Sequence, residues 1–226
     1  MKNRSIIIGD VHGCIIELED LLAKIAFNQK KDVLYFTGDI INRGWYSKEV
    51  YHKVKQLEAT VILGNHELRL INEDRGILKP KERTLKLREE FGEGFKSFME
   101  DIKTWPLFVD SEDFTLVHGG IIPGVALKDS DPGMMTRIRT WDGTGKDIAN
   151  PSNPPWFDFY HKEKLAVFGH WAALQGIVRD NVIGLDTGCV YGKKLSALIL
   201  PQREIVSTPA REVYCPIKNS VLTQNN

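Results

Sequence analysis

The chain has 226 residues, a length that fits one domain of ordinary size or at most two small ones. Its 30 lysines and arginines balance 30 aspartates and glutamates, which excludes a protein that holds nucleic acid or an anionic membrane by bulk charge. Hydrophobic residues make up 42% of the chain, which argues against disorder, and no apolar run approaches the roughly 20 residues of a membrane helix. Three scattered cysteines predict neither a disulfide framework nor a thiolate zinc site. We expect a cytoplasmic protein without a signal peptide.

The first third of the chain repeats a pattern of strand, loop and helix three times. Residues 5–8, 33–36 and 60–63 are short apolar runs typical of buried strands, and helical periodicity follows each of them after a polar loop. Consecutive units of this kind favour right-handed crossovers and a largely parallel sheet. Because parallel strands end at the same edge, the polar residues of these loops should meet there.

The rest of the chain is less regular. Residues 79–103 are rich in charge and predict one or two exposed helices, broken near Gly92 and Gly94. An excursion over residues 123–155, rich in Gly, Pro, Asp and Asn, predicts irregular surface structure. Further strands are predicted at residues 114–117 and 165–168, with an antiparallel finish at 175–179, 182–185, 195–200 and 204–206. We expect one domain over residues 1–214 and a frayed tail over 215–226.

Five of the predicted strands end in polar motifs. Taken singly, each motif has an ordinary explanation: Asp10 and Asp39 could form turns, and His118 could be a core histidine. Together, however, they bring two carboxylates, one amide and four of the six histidines towards one edge. The motifs are Gly9-Asp10-Val11-His12-Gly13, Gly38-Asp39, Gly64-Asn65-His66-Glu67, Val117-His118-Gly119-Gly120 and Gly169-His170.

This combination of side chains has a specific chemistry. Oxygen and imidazole ligands without thiolate suit manganese, iron, zinc or magnesium. Two such ions about 3.5–4 Å apart can clamp the attacking and leaving oxygens of a displacement at phosphorus, and they lower the pKa of a bridging water. The motifs therefore predict a dinuclear metal centre for phosphoryl chemistry.

The five motifs, in this order, resemble the signatures of the calcineurin-like metallophosphoesterases over residues 5–200. The second motif continues to Arg43-Gly44, an ending that matches the phosphoprotein-phosphatase branch. The resemblance implies an α/β fold in which two mixed β-sheets form a sandwich flanked by helices, with the metal site at the carboxyl ends of the strands. It also implies two divalent ions, for which we expect manganese first and iron, zinc, cobalt or magnesium as alternatives.

The resemblance assigns roles residue by residue. It implies that Asp39 bridges the two ions and that Arg43 binds phosphate as a forked cationic donor. His66 would protonate the leaving group or orient it by a hydrogen bond. The implied ligands are Asp10, His12 and Asp39 for the first ion, with Asn65, His118 and His170 completing the second.

Segments in the second half of the chain resemble one group in particular, the bacterial symmetrical diadenosine tetraphosphate hydrolases. These segments are residues 136–139, 155–157, 168–176 and 184–192. By that resemblance the reaction cleaves diadenosine tetraphosphate into two ADP through a metal-bridging hydroxide. Arg139, together with Arg137, would offset the charge of the polyphosphate, although either arginine could instead form a surface salt bridge.

Three features depart from these patterns. Asn42 stands where protein phosphatases carry an Asp that supports the catalytic histidine; it could hydrogen-bond to His66 but could not stabilise an imidazolium by charge. Glu67 follows His66 as in protein phosphatases, and it could accept hydrogen bonds near the site. Only 16 residues separate Gly120 from Arg137, where the tetraphosphate hydrolases carry a long helical insertion. The site should therefore be more open and less selective.

Three functions follow as hypotheses. The first is a hydrolase of dinucleoside polyphosphates, and the second is a serine/threonine protein phosphatase or general phosphomonoesterase. The third, a non-catalytic binding module, is disfavoured because all six ligand positions are filled. We expect a small nucleotide as partner, with a phosphoprotein or nucleotide-capped RNA as alternatives. Five aromatic residues near the motifs could stack on a base or simply pack: Trp45, Tyr46, Trp141, Trp156 and Trp171.

Overall fold

Two five-stranded sheets, each with parallel and antiparallel neighbours, make up the framework of the computed structural model, which describes residues 4–216. The strands are β1 (Arg4–Ile8), β2 (Asp32–Phe36), β3 (Thr60–Val61), β4 (Phe108–Asp110), β5 (Phe114–Val117), β6 (Leu165–Phe168), β7 (Ile177–Val178), β8 (Val182–Gly184), β9 (Lys194–Leu200) and β10 (Glu204–Pro209). The helices are α1 (Ile15–Lys24), α2 (Ser47–Gln56), α3 (Asn65–Asp74), α4 (Glu82–Phe91), α5 (Phe95–Ile102) and α6 (Pro132–Met135).

Both sheets contain a parallel centre with antiparallel strands added at the side. In the first sheet, β1, β2 and β3 are parallel, and β9 and β10 continue the sheet antiparallel beyond β1. In the second sheet, β5, β6 and β8 are parallel, and β4 and β7 are the antiparallel edges. Two mixed sheets flanked by helices confirm the fold class that the family resemblance implies.

Alternating side chains of β1 explain how the layers assemble. Ile7 packs in an apolar cluster with Leu198 of the same sheet and with Phe114 and Val167 of the other sheet. Its neighbours Ile6 and Ile8 point the other way and pack in the cluster that includes the helices. Since successive strand residues face opposite sides, the unbroken apolar run is what a strand buried on both faces requires.

The prediction of exposed helices in the charge-rich segment is wrong in one respect. The break near Gly92 and Gly94 is confirmed, because a short 3-10 turn separates α4 from α5 there. Both helices, however, are amphipathic: Phe91 and Phe98 are fully buried in the main core. The charged residues that dominate the composition form only the outer face, and the few apolar residues between them decide the packing.

One strand and the C-terminal tail remain to be compared with the predictions from the sequence. Strand β4 at Phe108–Asp110 was not predicted, because three residues without a fixed pattern give no strand signal. Of the predicted frayed tail, residues 217–226 lie outside the described residues, and the single domain over residues 1–214 stays a prediction. None of the helices within residues 4–216 combines the length and the hydrophobicity that a membrane span requires.

Candidate active site

Asp39, in the loop after β2, lies at the centre of a buried cluster of imidazoles. Its Oδ2 is 3.5 Å from Nε2 of His12 and 3.5 Å from Nε2 of His118, which come from different sheets. Two groups of possible metal ligands share this carboxylate: one adds His12 and His66, the other His118 and His170. Within each group the ligand atoms lie within 4.8 Å of one another. The geometry therefore offers two adjacent sites with Asp39 between them.

Backbone carbonyl groups fix the orientation of the His12 and His118 rings. His12 Nδ1 lies 3.0 Å from the carbonyl oxygen of Ile41, and His118 Nδ1 lies 2.7 Å from that of Thr37. Because a carbonyl oxygen only accepts, each Nδ1 carries a proton, and Nε2 is left as the atom that can bind a metal ion. This donor set fits a divalent metal, since the Nε2 atoms are those that face Asp39.

Asp10 links three of the loops. One carboxylate oxygen, Oδ1, accepts a hydrogen bond from Thr37 Oγ1 at 2.7 Å, and Oδ2 accepts one from the backbone N–H of His170 at 3.0 Å. Burial, and next the nearby Asp186, raise the pKa of Asp10. Bringing two carboxyl groups together in a buried site is unfavourable unless positive charge balances them.

The electrostatics of the cluster favour a cation. Burial alone would lower the pKa of His118, but the carboxylates of Asp39 and Asp10 outweigh it and raise the pKa to about 10. Asn65, at the start of α3, places its Oδ1 3.1 Å from Nε2 of the same histidine. A group of acidic and amide oxygens that pulls positive charge onto an imidazole meets the electrostatic condition for metal binding.

His66 is held beside the cluster by its backbone. Its N–H donates to Asp39 Oδ1 at 2.9 Å, and its Nε2 lies 3.9 Å from Asp39 Oδ2. Its Nδ1 is buried and has no hydrogen-bond partner among the described residues, so the bond that Asn42 could have made is not formed. Burial lowers the pKa of His66 to about 3.

Arg43 reaches the cluster from the loop after β2. Its Nη1 donates to His12 Nε2 at 2.9 Å, and its guanidinium carbon lies 5.5 Å from the centre of the Tyr191 ring. Arg43 and a metal ion would therefore compete for the same lone pair of His12. A metal ion on His12 would release the guanidinium for a phosphate group.

Arg139 joins Arg43 at the wall of a cavity of about 380 Å³ that His170 also lines. Its Nε is buried and has no hydrogen-bond partner within the part of the chain that the structure describes, and burial lowers the pKa of this arginine. Arg137, by contrast, is exposed and does not line this cavity. Of the two arginines singled out in the sequence, only Arg139 is placed beside the candidate site.

Glu67 organises the backbone of the site. Its carboxylate is completely buried and accepts hydrogen bonds from the backbone N–H groups of Asp39 at 2.9 Å, Ile40 at 3.1 Å and Gly64 at 3.1 Å. Burial, and next the charge of Asp39, raise its pKa to about 7. The sequence suggested an acceptor at this position, but its partners are defined only by the fold.

Asp186 was missed by the sequence analysis as a site residue. It is buried, it accepts a hydrogen bond from Gly188 N–H at 3.1 Å, and burial raises its pKa to about 6. Its charge acts on Asp10 and on Arg139. The available signal was its place in the segment 184–192, which follows strand β8 at the same edge.

Comparison with known proteins agrees with this geometry. The model of the calcineurin-like phosphoesterase family matches residues 4–179, more than half of the chain. The chain is a calcineurin-like phosphoesterase. A crystal structure described as a candidate diadenosine tetraphosphatase superposes on this phosphoesterase with a TM-score of 0.81 and 28% identity, covering 93% of this chain and 96% of that one.

Curated relatives of this calcineurin-like phosphoesterase include symmetrical and asymmetrical tetraphosphatases. A symmetrical bis(5'-nucleosyl)-tetraphosphatase of Vibrio parahaemolyticus is 28% identical, over 90% of this chain and 98% of its own. An asymmetrical bis(5'-nucleosyl)-tetraphosphatase of Oceanobacillus iheyensis is 32% identical, over 92% of this chain and 93% of its own. A cold-active protein-tyrosine phosphatase shares the fold alone, with a TM-score of 0.60 and 18% identity.

Proposed function

We propose that this calcineurin-like phosphoesterase hydrolyses a phosphoanhydride bond of dinucleoside polyphosphates, with diadenosine tetraphosphate cleaved to two ADP. One observation carries the proposal: two arginines, Arg43 and Arg139, line a single cavity next to the cluster of carboxylates and imidazoles. Two guanidinium groups beside a cluster that could hold metal ions concentrate positive charge at one cavity, which suits a chain of several phosphates. The names of the relatives support the same class of substrate.

Different residues of the chain would hold the metal ions, bind the phosphates and position the loops. Two divalent ions, manganese first among the candidates, would lower the pKa of a water and neutralise phosphate oxygens when bound. Arg43 and Arg139 would orient the phosphate chain, and Glu67 would keep the loops of Asp39 and Gly64 in place. The residues that would hold the ions are Asp10, His12, Asp39, Asn65, His118 and His170.

His66 suits a phosphoanhydride better than an ester. Within residues 4–216, no group hydrogen-bonds to Nδ1 as the carboxylate of a catalytic triad does, and the nearest carboxylate, Asp39, lies 3.9 Å from Nε2. An alcohol leaves poorly unless it is protonated, whereas a nucleoside diphosphate leaves as a stable anion. A site with a weakly supported acid therefore favours the anhydride, and this argues against a protein phosphatase.

Asymmetrical cleavage, to AMP and ATP, is the second candidate. The alignment with the symmetrical enzyme of Vibrio spans 262 positions, more than the 226 residues of this chain, so that relative carries segments that this chain lacks. The alignment with the asymmetrical enzyme of Oceanobacillus spans only 233 positions. In total length the chain thus resembles the asymmetrical enzyme more closely.

Product analysis distinguishes these functions. Protein reconstituted with manganese is incubated with diadenosine tetraphosphate, and the nucleotides are separated by chromatography beside a phosphopeptide control. ADP as the sole nucleotide product supports the proposal, and AMP with ATP supports asymmetrical cleavage. Intact dinucleotide together with rapid phosphate release from the peptide contradicts both and assigns a protein phosphatase.

A further inference from the structure

We propose that the cavity beside Arg43 and Arg139 binds one nucleoside half of the substrate, with the base against Trp171 and Tyr191 and the phosphate next to the ribose on Lys193. This inference rests on the proposed function, since it names how that site recognises a dinucleotide. None of these three residues is needed for metal binding, so they can be tested separately from the candidate metal centre.

The two aromatic residues are anchored to the candidate active site. Trp171 directly follows His170, and Tyr191 lies under the guanidinium of Arg43 at 5.5 Å. Both rings line the cavity and both residues are partly exposed. Phe157 supports Trp171 from the protein core, with ring centres 6.2 Å apart. Aromatic rings that are held in place and open to a cavity provide a stacking surface for a base.

Charge distinguishes this cavity from an ordinary surface cleft. Among the described residues, its walls include three cationic side chains, Arg43, Arg139 and Lys193, and no Asp or Glu. The ammonium group of Lys193 has no ion-pair partner within residues 4–216, and its methylene groups lie over Gly188, 3.1 Å from where a Cβ would stand. A half-buried lysine without a partner beside two arginines is suited to a further phosphate group.

The volume limits what can bind. Pockets that enclose drug-sized ligands range over about 300–1,000 Å³, so a cavity of about 380 Å³ accommodates one nucleoside rather than two. The other half of a dinucleotide would then extend outside this cavity. The substrate class is accordingly one nucleoside joined to a polyphosphate chain.

Binding of ADP tests the proposal without relying on turnover. Isothermal titration calorimetry of the manganese-loaded protein measures the Kd for ADP and, separately, for pyrophosphate. Trp171→Ala should raise the Kd for ADP about tenfold, a typical effect of losing one stacked base, and should change the Kd for pyrophosphate by less than twofold. Lys193→Ala should raise the Kd for both ligands about fivefold, because both contain the phosphate it would contact.

Matched controls make the result specific. Trp45→Ala removes an exposed tryptophan, and Lys194→Ala removes the neighbouring lysine; neither residue lines this cavity, and neither change should alter ADP binding. Trp171→Phe keeps an aromatic ring and should restore the Kd for ADP to within threefold of the wild type. If Trp171→Ala fails to fold, Lys193→Ala still tests the cavity, because the proposal predicts weaker binding of both ligands by that variant.

Two outcomes overturn the inference. In the first, the Kd for ADP is the same in Trp171→Ala, in Lys193→Ala and in the wild type. In the second, the wild type binds pyrophosphate as tightly as it binds ADP. The proposed function can fail separately. If the wild type does not cleave dinucleotides but loses ADP binding with Trp171→Ala, the cavity assignment stands and the substrate must be another nucleotide. If dinucleotides are cleaved and neither substitution changes the Kd for ADP, only the cavity assignment fails.

Discussion

Several candidate ligands adopt a backbone conformation that residues other than glycine seldom occupy. His12, Asp39 and His170 have φ values of 46°, 49° and 63°, and Arg43 has a φ of 71°. Each such residue costs on the order of 1–3 kcal/mol and persists only where neighbouring structure enforces it. Here the backbone N–H of His12 donates to the carbonyl of Asp39 at 2.9 Å, which ties the two loops together. The strain is thus concentrated where side chains must converge.

Gly64 allows the backbone to approach the Asp39 carboxylate closely. A Cβ on Gly64 would lie 2.2 Å from Oδ1 of Asp39, so any other residue would displace the carboxylate at the centre of the cluster. The carboxylate of Glu67 already occupies the remaining space on that side. Small size, rather than turn geometry, explains the glycine before Asn65.

His66→Asn tests the role of this histidine. We expect metal content to remain at the wild-type level, since the six proposed ligands are intact, while kcat falls by less than the factor of about 10²–10⁴ that a general acid usually contributes, because a nucleoside diphosphate leaves without full protonation. Elemental analysis and steady-state kinetics on diadenosine tetraphosphate measure the two quantities. Loss of metal would instead identify His66 as a ligand, a role that its position beside His12 and Asp39 permits.

At the scale of elements, helices α4 and α5 show how a few apolar residues fix a charged segment. Phe98 stacks on Phe91 with ring centres 4.2 Å apart and lies 4.9 Å from the Tyr51 ring of α2. This aromatic cluster attaches the two helices to the first sheet's helical layer. The segment is therefore part of the core although most of its residues are polar.

Phe98→Ala should lower the free energy of unfolding by about 3–5 kcal/mol, because it leaves a large cavity in a fully buried site. Urea unfolding followed by circular dichroism measures the loss. Lys96→Ala, on the exposed face of the same helix, is the control and should change stability by less than about 0.5 kcal/mol. Equal effects of the two substitutions would show that α5 does not pack as described.

The start of β2 is linked to β1 by an ion pair. Asp32 accepts hydrogen bonds from Arg4 Nε at 2.9 Å and Nη2 at 2.6 Å, and from the backbone N–H of Asn28 at 2.8 Å. The bond with Arg4 lowers the pKa of this buried carboxyl below its usual value. Folding therefore favours the ionised form, and the stability it adds is present above the pKa of the unfolded chain and lost as the pH falls through the lower folded value.

Asp32→Asn should lower the free energy of unfolding at pH 7 by about 1.5–3 kcal/mol, the range for hydrogen bonds to a charged group. The difference between variant and wild type should shrink as the pH falls below about 3.9, where the unfolded carboxyl is already protonated. Urea titrations between pH 7 and pH 3 measure it, with the exposed Asp113→Asn as control. A difference that stays constant over this range would contradict the assigned ion pair.

For the whole molecule, the candidate metal centre lies between the two sheets. Asp10, His12 and Asp39 come from loops of the first sheet, whereas His118 and His170 follow β5 and β6 of the second. A metal ion shared by these residues would join the two layers. Because an unfolded chain cannot hold that arrangement, bound metal stabilises the folded state.

Removal of metal by a chelator should therefore lower the melting temperature. At a manganese concentration one hundred times the Kd, linkage adds about 2.7 kcal/mol, which for a chain of this size raises the melting temperature by about 5–10 °C. Asp39→Asn should abolish this rise, and Asp180→Asn, an exposed aspartate, should keep it. Differential scanning calorimetry measures the shift, and a full rise in Asp39→Asn would contradict the central role of this carboxylate.

Local patterns determined most of the framework. The apolar runs of β1, β2, β5 and β6 and the polar motifs that follow them could be found from the sequence, because strand burial and tight turns leave signals within a few residues. The order of the motifs was enough to indicate the family and the group of side chains that meet at Asp39. The short edge strand β4 left no such signal, and the apolar stripe that includes Phe98 was hidden by the charge of the segment around it.

The surroundings of those side chains depend on how distant parts of the chain pack together. Asp186 lies far along the chain from Asp10, and the cavity lined by Arg43, Trp171 and Lys193 joins segments more than a hundred residues apart. That His66 Nδ1 has no hydrogen-bond partner within residues 4–216 likewise depends on where the neighbouring loops lie. The physical reason is the range of the interactions: secondary structure and turns are set by neighbours in sequence, whereas burial, charge coupling and cavities are set by neighbours in space.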